Sequence, residues 1–486
     1  MKKLRSIMFV GTGSDVGKSV INAGFCRIFL QDGYSPAPFK AQNMSLNSFA
    51  TKDNLEIGRA QAVQAEACGV ECTTDMNPIL LKPTTNQSSQ VVLNGRPAGN
   101  KSAKEYFNSD NRRELFIHAK AAYDRLASRY NPIILEGAGS ISEINLWDKD
   151  IVNMPMAHHA NAATILIADI DRGGVFASVY GSIKLLPEAH RSLIKGIIIN
   201  KFRGDISLFE SGRAMLEELT GVPVLGVVPY LTDVEIEQED SVVLSRRGED
   251  RSAEGVRVAV VLLKSLSNFT DFNMLERTEG LSLSYVSRPE QITEADIVII
   301  PGSKSTIADM EYLRKSGLSR AILNHHAAGK PLYGICGGYQ MMGDMILDPL
   351  HIESEIDATP GLGILPITTT IEEGKTTRQC EFKMLRSDAN GYGYEIHSGR
   401  SSSSSPLAIL DDGSQDGYYL SDRCWGSYIH GIFDNKSVIE QIISPLSHKA
   451  IRVKDYAAEK QRNYDLLAEH LRKHINMDMI YKILEV

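Results

Sequence analysis

The stretch SIMFVGTGSDVGKSV, Ser6–Val20, decides how the N-terminal half is read. SIMFV (6–10) is short and nearly unbroken, as expected of a strand buried on both faces of a sheet. A turn rich in glycine follows, and the residues after Gly17 open a helix. A strand, a Gly-rich turn and a helix in this order make a phosphate site: backbone N–H groups line the turn and the helix N-terminus adds a favourable dipole. In this reading Thr12, Gly13, Ser14, Asp15, Val16 and Gly17 wrap the phosphates. Lys18 reaches the terminal phosphates of ATP and the Ser19 hydroxyl reaches Mg²⁺. The fit to GxxxxGK[ST] is incomplete, because Thr12 stands at the first glycine position and Gly11 lies one residue early. The bland alternative is a strand-to-helix turn that holds nothing; the strand–loop–GKS–helix context favours nucleotide binding.

Working outward, similar apolar runs recur in PIILE (132–136), ATILIAD (163–169), GIIIN (196–200) and PVLGVVP (223–229), separated by segments long enough for crossover helices. The charged, aperiodic stretch 232–254 reads as a linker. A second alternation follows in VRVAVVLL (256–263), ADIVIIPG (295–302) and PLYGIC (331–336). From about Ser447, helical spacing returns at Ile451, Tyr456, Leu466, Leu467 and Leu471, a tail expected to pack on the second domain. The expected fold class is α/β: a parallel-sheet domain over 1–231, a linker over 232–254, a second α/β domain over 255–446 and a helical tail over 447–486.

Composition bounds the rest. A chain of 486 residues exceeds one ordinary core. Its 43% hydrophobic and 23% charged residues are those of a globular protein. A net charge of -8 without a basic stripe argues against a nucleic-acid partner. No stretch approaches a membrane span, and the apolar run Ile7–Val10 is too short for a signal peptide. The six cysteines include no CxxC pair, and no histidine completes a zinc site around Cys68 and Cys72. A reducing, cytoplasmic compartment is expected.

The second half carries its own chemistry. In YGICGGYQMMG, Cys336 sits between a strand-like run and a helix-like one, with Gly334, Gly337 and Gly338 beside it. This is the form of a nucleophile elbow, in which glycines permit a sharp turn and a helix N-terminus favours a thiolate. The N–H of Gly337 can hold an oxyanion. A base and a second oxyanion donor are needed. His430 in CWGSYIHGIFDN and Gly302 in IIPGSKS supply them. A lone cysteine is usually a buried thiol; the three features together favour a nucleophile. The adjacent His158 and His159 face different directions on a helix and are read as structural. Asp169 and Asp171 end a strand, where ligand sites gather in α/β sheets, and Arg172 precedes two glycines.

These motifs resemble known families. The spacing of GTGSDVGKS is similar to the dethiobiotin synthetase-like branch of P-loop proteins, which use ATP to activate a carboxylate. That resemblance implies Mg²⁺-binding carboxylates at Glu136 in LEGAGS and at Glu56 in LEIGRAQAVQAEA. It also implies a phosphoryl-neutralising Lys40 in PFKAQNM and an adenine contact at Asn200 in INKFRGD. Glu56 as a helix-cap acid and Lys40 as a solvated charge are the bland alternatives. The order Gly302, Cys336, His430 resembles class I glutamine amidotransferase domains. Those carry His-Pro-Glu, and here Gly431 and Ile432 follow His430, so the orienting glutamate is absent. Either a Cys–His dyad or a substitute acid is expected, with Glu395 in GYEIHSG the candidate beside His397.

In order along the chain, FKAQNMSLNS, EIGRAQAVQAEA, EGAGSISEINL, DIDRGGVFAS, PGSKSTIADM, YGICGGYQMMG and YIHGIF resemble the cobyric acid synthase family of cobalamin biosynthesis. The resemblance implies an amidoligase that uses ATP, Mg²⁺ and glutamine. Its substrate would be adenosylcobyrinic acid a,c-diamide, amidated at the b, d, e and g carboxylates. The related cobyrinic acid a,c-diamide synthases, or another ATP-dependent polyacid amidotransferase, are the alternative.

Overall fold

The computed structural model describes residues 2–85, 88–232, 234, 236–237, 255–444, 446 and 453–485. The chain forms two compact units, neither contiguous in sequence. The first comprises Met1–Met44, Ile57–Glu237 and Ala458–Val486; the second comprises Ser45–Glu56 and Gln238–Ala457.

The first unit is built on a six-stranded sheet in the order Val224–Pro229, Ile194–Phe202, Ala163–Asp169, Ile7–Gly11, Ile133–Glu136, Ala37–Phe39. Every neighbouring pair is parallel. The strands are Ile- and Val-rich because both faces are covered; all seven residues of Ala163–Asp169 are buried. The phosphate-loop strand lies in the middle, with Ile133–Glu136 on one side and Ala163–Asp169 on the other. The register pairs Phe9 with Glu136, Gly11 with Ile167 and Asp169 with Asn200. The carboxylates are thereby delivered to the C-terminal edge where the loop opens, as in other open α/β sheets. The strand Gln42–Met44 begins a second, four-stranded sheet with Ile79–Thr85, Ser88–Leu93 and Arg96–Ser102.

The tail does not pack where its periodicity was expected to place it. Helices Tyr456–His474 and Met477–Leu484 complete the first unit, burying Tyr464, Leu467, Leu471, Ile480 and Leu484 with Phe25, Phe29 and Leu225. The physical reason lies in helix Lys18–Gln31. A Cβ at Gly24 would stand 2.3 Å from Leu471 Cδ1, so the missing side chain lets the two helices close. Arg27 Nε donates to Asp465 at 2.7 Å, Lys460 pairs with Glu66 at 2.7 Å and Arg472 with Asp32 at 2.6 Å. Ile451 lies outside the described residues, as do residues 233, 235 and 238–254 of the expected linker. The linker's described start belongs to the first unit: Val234 and Ile236 pack on its core, and Glu237 pairs with Arg59 at 2.7 Å.

The second unit has a six-stranded sheet in the order Leu281–Val286, Val256–Val261, Ile297–Ile300, Leu332–Ile335, Cys424–Ser427, Tyr418–Ser421. It is parallel except for its last pair. A long antiparallel hairpin, Thr368–Met384 with Asn390–Ser401, accompanies it. The N-terminal segment Ser45–Glu56 folds here, with Ala50 buried against Tyr394 and Ile396. Among the described residues no helix is long and apolar enough to cross a membrane.

Candidate functional site

The phosphate loop turns on two residues of positive φ, Asp15 (57°) and Gly17 (96°), and helix Lys18–Gln31 starts directly after them. Lys18 folds back over the loop, donating to the Gly13 carbonyl at 2.9 Å and the Gly139 carbonyl at 3.1 Å. Gly139 belongs to the EGAGS segment, so the lysine joins the loop to the strand that ends in Glu136.

Glu136 is 1% exposed, and both its oxygens are engaged. Ser19 Oγ and Lys40 Nζ each donate to Oε1 at 2.9 Å, and Gln64 Nε2 donates to Oε2 at 2.6 Å. Burial pushes this carboxyl up, but the Lys40 charge and the hydrogen bonds from Lys40, Gln64 and Ser19 outweigh it and hold the group below the usual carboxylate range. The structure thus brings together Ser19, Lys40 and Glu136, three residues singled out in the sequence. It adds Gln64, which the sequence reading did not single out although it lies in the quoted motif LEIGRAQAVQAEA. Among the described residues no three His, Cys, Asp or Glu side chains cluster as a protein-only metal cage. A hydroxyl and a carboxylate are nevertheless the hard oxygen donors that suit Mg²⁺, which usually takes one or two such groups plus phosphate oxygens.

The other candidates of this half are placed as follows. Asn200 directs Nδ2 to the Val16 carbonyl at 2.8 Å, bracing the loop from strand Ile194–Phe202, two places away in the sheet. Lys201 salt-bridges Asp169 at 2.9 Å and also reaches the Asp15 carbonyl. Arg172 pairs with Asp15 at 3.4 Å, and Arg203 with Asp171 at 2.8 Å. His159 bonds Asp124 at 2.8 Å, and the His158 ring meets that of His190 at a tilt, with centroids 4.9 Å apart. Glu56 belongs to the second unit, where it forms a buried pair with Lys375 at 2.6 Å.

In the second unit Cys336 occupies a one-residue turn between strand Leu332–Ile335 and helix Gly337–Met342, with φ 50° and ψ −110°. A non-glycine residue there is strained, and strain of this kind gathers at functional sites. The turn is fixed by the Cys336 N–H donating to the Ser427 carbonyl at 2.8 Å. Its tightness requires Gly338, where a Cβ would stand 1.9 Å from the Ile300 carbonyl oxygen. The turn carrying Gly302 follows that same strand end. A Cβ on Gly337 would stand 2.8 Å from Ser303 N, and one on Gly302 3.1 Å from His430 Cε1. Cys336, Gly302, Gly337 and His430 are therefore neighbours.

The acid that orients His430 is Asp271. His430 Nδ1 lies 2.7 Å from Asp271 Oδ2, and the Gly431 N–H donates to Oδ1 at 3.0 Å, with both side chains at 1–2% exposure. With Nδ1 bound to the carboxylate, Nε2 is the nitrogen left for the thiol. Burial pushes the imidazole pKa down, but the Asp271 carboxylate and the Cys336 thiol more than offset this, raising it to about 10. Glu395, the expected substitute, does not fill this role. It lies opposite Arg378 on the hairpin and is bound by that guanidinium, with His397 Nε2 at 3.5 Å from its other oxygen. The Cys–His dyad is likewise replaced by an Asp–His–Cys arrangement. Asp271 was missed because it stands 159 residues from His430, in an aromatic run (NFTDF) with no spacing to mark it.

Comparison with known proteins agrees with both halves. Residues 7–243 match the CobQ/CobB/MinD/ParA nucleotide-binding domain family, and residues 257–438 match the CobB/CobQ-like glutamine amidotransferase domain family. The chain is 57% identical to the cobyric acid synthase of Bacteroides fragilis and 56% identical to that of Phocaeicola vulgatus, each alignment covering 99% of both chains. Identity to the cobyric acid synthase of Salmonella agona is 45%, over 99% of this chain and 98% of that one. With both domain families present in order and identity sustained from end to end, this amidoligase belongs to the cobyric acid synthase family.

Proposed function

We propose that the chain amidates the b, d, e and g carboxylates of adenosylcobyrinic acid a,c-diamide, using ATP and glutamine, to give cobyric acid. The observation that carries the reading is that one chain holds both a phosphate loop beside a lysine-bound carboxylate and an assembled Asp271–His430–Cys336 array.

In the glutaminase half, Cys336 Sγ attacks the glutamine carboxamide carbon while His430 holds the thiol proton. The oxyanion lies between the N–H of Gly337 and the turn at Gly302. His430 passes the proton to the departing ammonia, leaving a thioester. It then draws a proton from water, which releases glutamate and restores the thiol. Asp271 supports the imidazolium throughout.

In the synthetase half, an oxygen of the substrate carboxylate attacks the terminal phosphorus of ATP, giving ADP and an acyl phosphate. Ammonia then attacks the acyl carbon, phosphate leaves, and a carboxamide remains. Lys18 and Lys40 supply positive charge where the transferring phosphoryl group carries negative charge. Ser19 and Glu136 would hold Mg²⁺, which when bound neutralises phosphate charge. Asn200 keeps the loop in shape through Val16 and stands where the adenine is expected. All six cysteines are free thiols, which supports work in the reducing cytoplasm.

The test is mass spectrometry of the corrinoid after reaction of the full chain with ATP, Mg²⁺, glutamine and the a,c-diamide. The mass falls by a fixed step with each carboxylate converted, so amidations are counted directly. Four steps, with glutamate and ADP released in proportion, are expected. An unchanged corrinoid mass overturns the assignment of substrate.

A further inference from the structure

The segment Ser45–Glu56 comes from the synthetase half of the sequence yet folds within the glutaminase unit, and its contacts fall on the groups that set the acid–base pair. Asn47 Oδ1 accepts a hydrogen bond from the Phe269 N–H at 3.1 Å, and the Ser48 N–H donates to Asn268 Oδ1 at 2.9 Å. Asn268 is left-handed, φ 53°, and opens the one-turn helix Phe269–Phe272 that carries Asp271. Asparagine tolerates this conformation, and the two bonds fix it from outside. The same loop is tied to the oxyanion turn, where the Ser267 N–H donates to the Gly302 carbonyl at 3.0 Å.

The next residue grips the base. The Phe49 ring meets Tyr394 edge-on at 4.8 Å. Tyr394 in turn stacks on the His430 imidazole at 5.3 Å and exchanges two backbone hydrogen bonds with His430, at 3.1 and 2.8 Å. The segment is anchored farther along by Gln379 Nε2, which donates to the Ala50 carbonyl at 2.8 Å, and by the Glu56–Lys375 pair. Three consecutive residues, Asn47, Ser48 and Phe49, thus act on the turn of the acid and the flank of the base.

We propose that residues 45–56 are a positioning strap of the glutaminase site, in which Asn47 fixes the turn bearing Asp271 and Phe49 backs the ring that lies against His430. The inference rests on reading Cys336, His430 and Asp271 as the glutaminase group. Removing the Asn47 acceptor leaves the buried Phe269 N–H without that partner, which favours relaxation of the turn and withdraws Asp271 from His430. A displacement of this kind, small in distance, is large in rate, because the reacting groups must be held in near-attack geometry. Among the described residues the titratable groups that face His430 are Asp271, Cys336 and Tyr394. Loss of the first carboxylate lets the imidazolium deprotonate at lower pH.

The test measures glutamate release by the full chain for Asn47→Ala, Asn47→Asp and Phe49→Leu, with kcat and KM separated and kcat/KM followed against pH. In parallel, alkylation of Cys336 by a diazoketone analogue of glutamine is read by peptide mass spectrometry. Asn47→Ala is expected to lower kcat roughly tenfold or more with KM little changed, and to move the alkaline limb of the profile downward. Asn47→Asp keeps an acceptor in the same place but buries a carboxylate, so it is expected to recover kcat only in part. Phe49→Leu shows a milder loss in the same direction and decides the matter if Asn47→Ala does not fold. Wild-type kcat and an unmoved limb in Asn47→Ala and Phe49→Leu overturn the strap, as does a loss of kcat in Asn47→Ala with the alkaline limb left where it stands. A wild-type chain whose Cys336 resists the analogue overturns instead the glutaminase reading on which the strap rests.

Discussion

Both units centre on a strand that turns into a helix, and the two turns differ in length and in which residue bears the backbone strain. In the first unit residues 12–17 separate strand Ile7–Gly11 from helix Lys18–Gln31, and the positive φ angles fall on Asp15 and Gly17. Lys18, the proposed phosphate ligand, is helical and bends back over the turn. In the second unit the turn is the single residue Cys336, and the residue proposed as the nucleophile itself holds the strained conformation. A long turn presents a row of N–H groups, which suits an extended anion. A one-residue turn projects one side chain to a point, which suits a nucleophile.

The sharpest way to break this comparison is to remove each functional side chain in turn. Cys336→Ala is expected to lower glutamine-driven amidation by roughly 10⁴-fold or more, since no thioester can form. Ammonia-driven amidation persists, and assaying both nitrogen sources on one preparation decides it. Full glutamine use by the variant would move the nucleophile elsewhere. Lys18→Ala is expected to cost roughly 10²–10³-fold in amidation with either source, the loss of one charge that stabilises the transferring phosphoryl group. Glutamate release without synthesis should survive in that variant. Equal loss of both activities would mean that the two turns do not serve separate chemistries.

A smaller effect sharpens the elbow side. His430 carries a raised pKa of about 10, so its charged form persists below that value and is lost as pH rises through it. Asp271→Asn removes the charge that raises it. The alkaline limb of glutaminase kcat/KM is then expected to fall toward the ordinary imidazole range, with kcat down roughly 10²-fold. Glu395→Gln, by contrast, should leave that limb where it stands, because Glu395 is held by Arg378 across the hairpin. A limb that moves with Glu395 and not with Asp271 would reverse the assignment.

What was legible in the sequence was what neighbouring residues determine. The strands announced themselves as Ile- and Val-rich runs because a parallel sheet covered on both faces admits little else. The phosphate loop and the elbow were legible because each is a local geometry written in consecutive residues. Partners across the chain were not. The tail's period revealed a buried face of Leu467 and Leu471 but not its seat, which is set by the absence of a side chain at Gly24. Glu395 looked suitable because it lies two residues from His397, and strand alternation does put both on one face. Its cross-strand partner Arg378 is invisible to that reasoning. Asp271 had no local mark at all, and neither did the departure of Ser45–Glu56 from the unit that surrounds it in sequence.

The division of the first unit bears on how the protein is made. Its sheet is complete once residue 237 has been synthesised, but Leu467, Leu471, Ile480 and Leu484, which cover helix Lys18–Gln31, come from residues after 458. At about 5–20 residues per second on the ribosome, the covering helices follow roughly 10–45 s later. During that interval the face of helix Lys18–Gln31 at Gly24, which Leu467 and Leu471 close upon, is without those partners. The first unit is therefore completed only after the second has been synthesised, and a chain cut short before residue 458 would leave the face at Gly24 without Leu467 and Leu471.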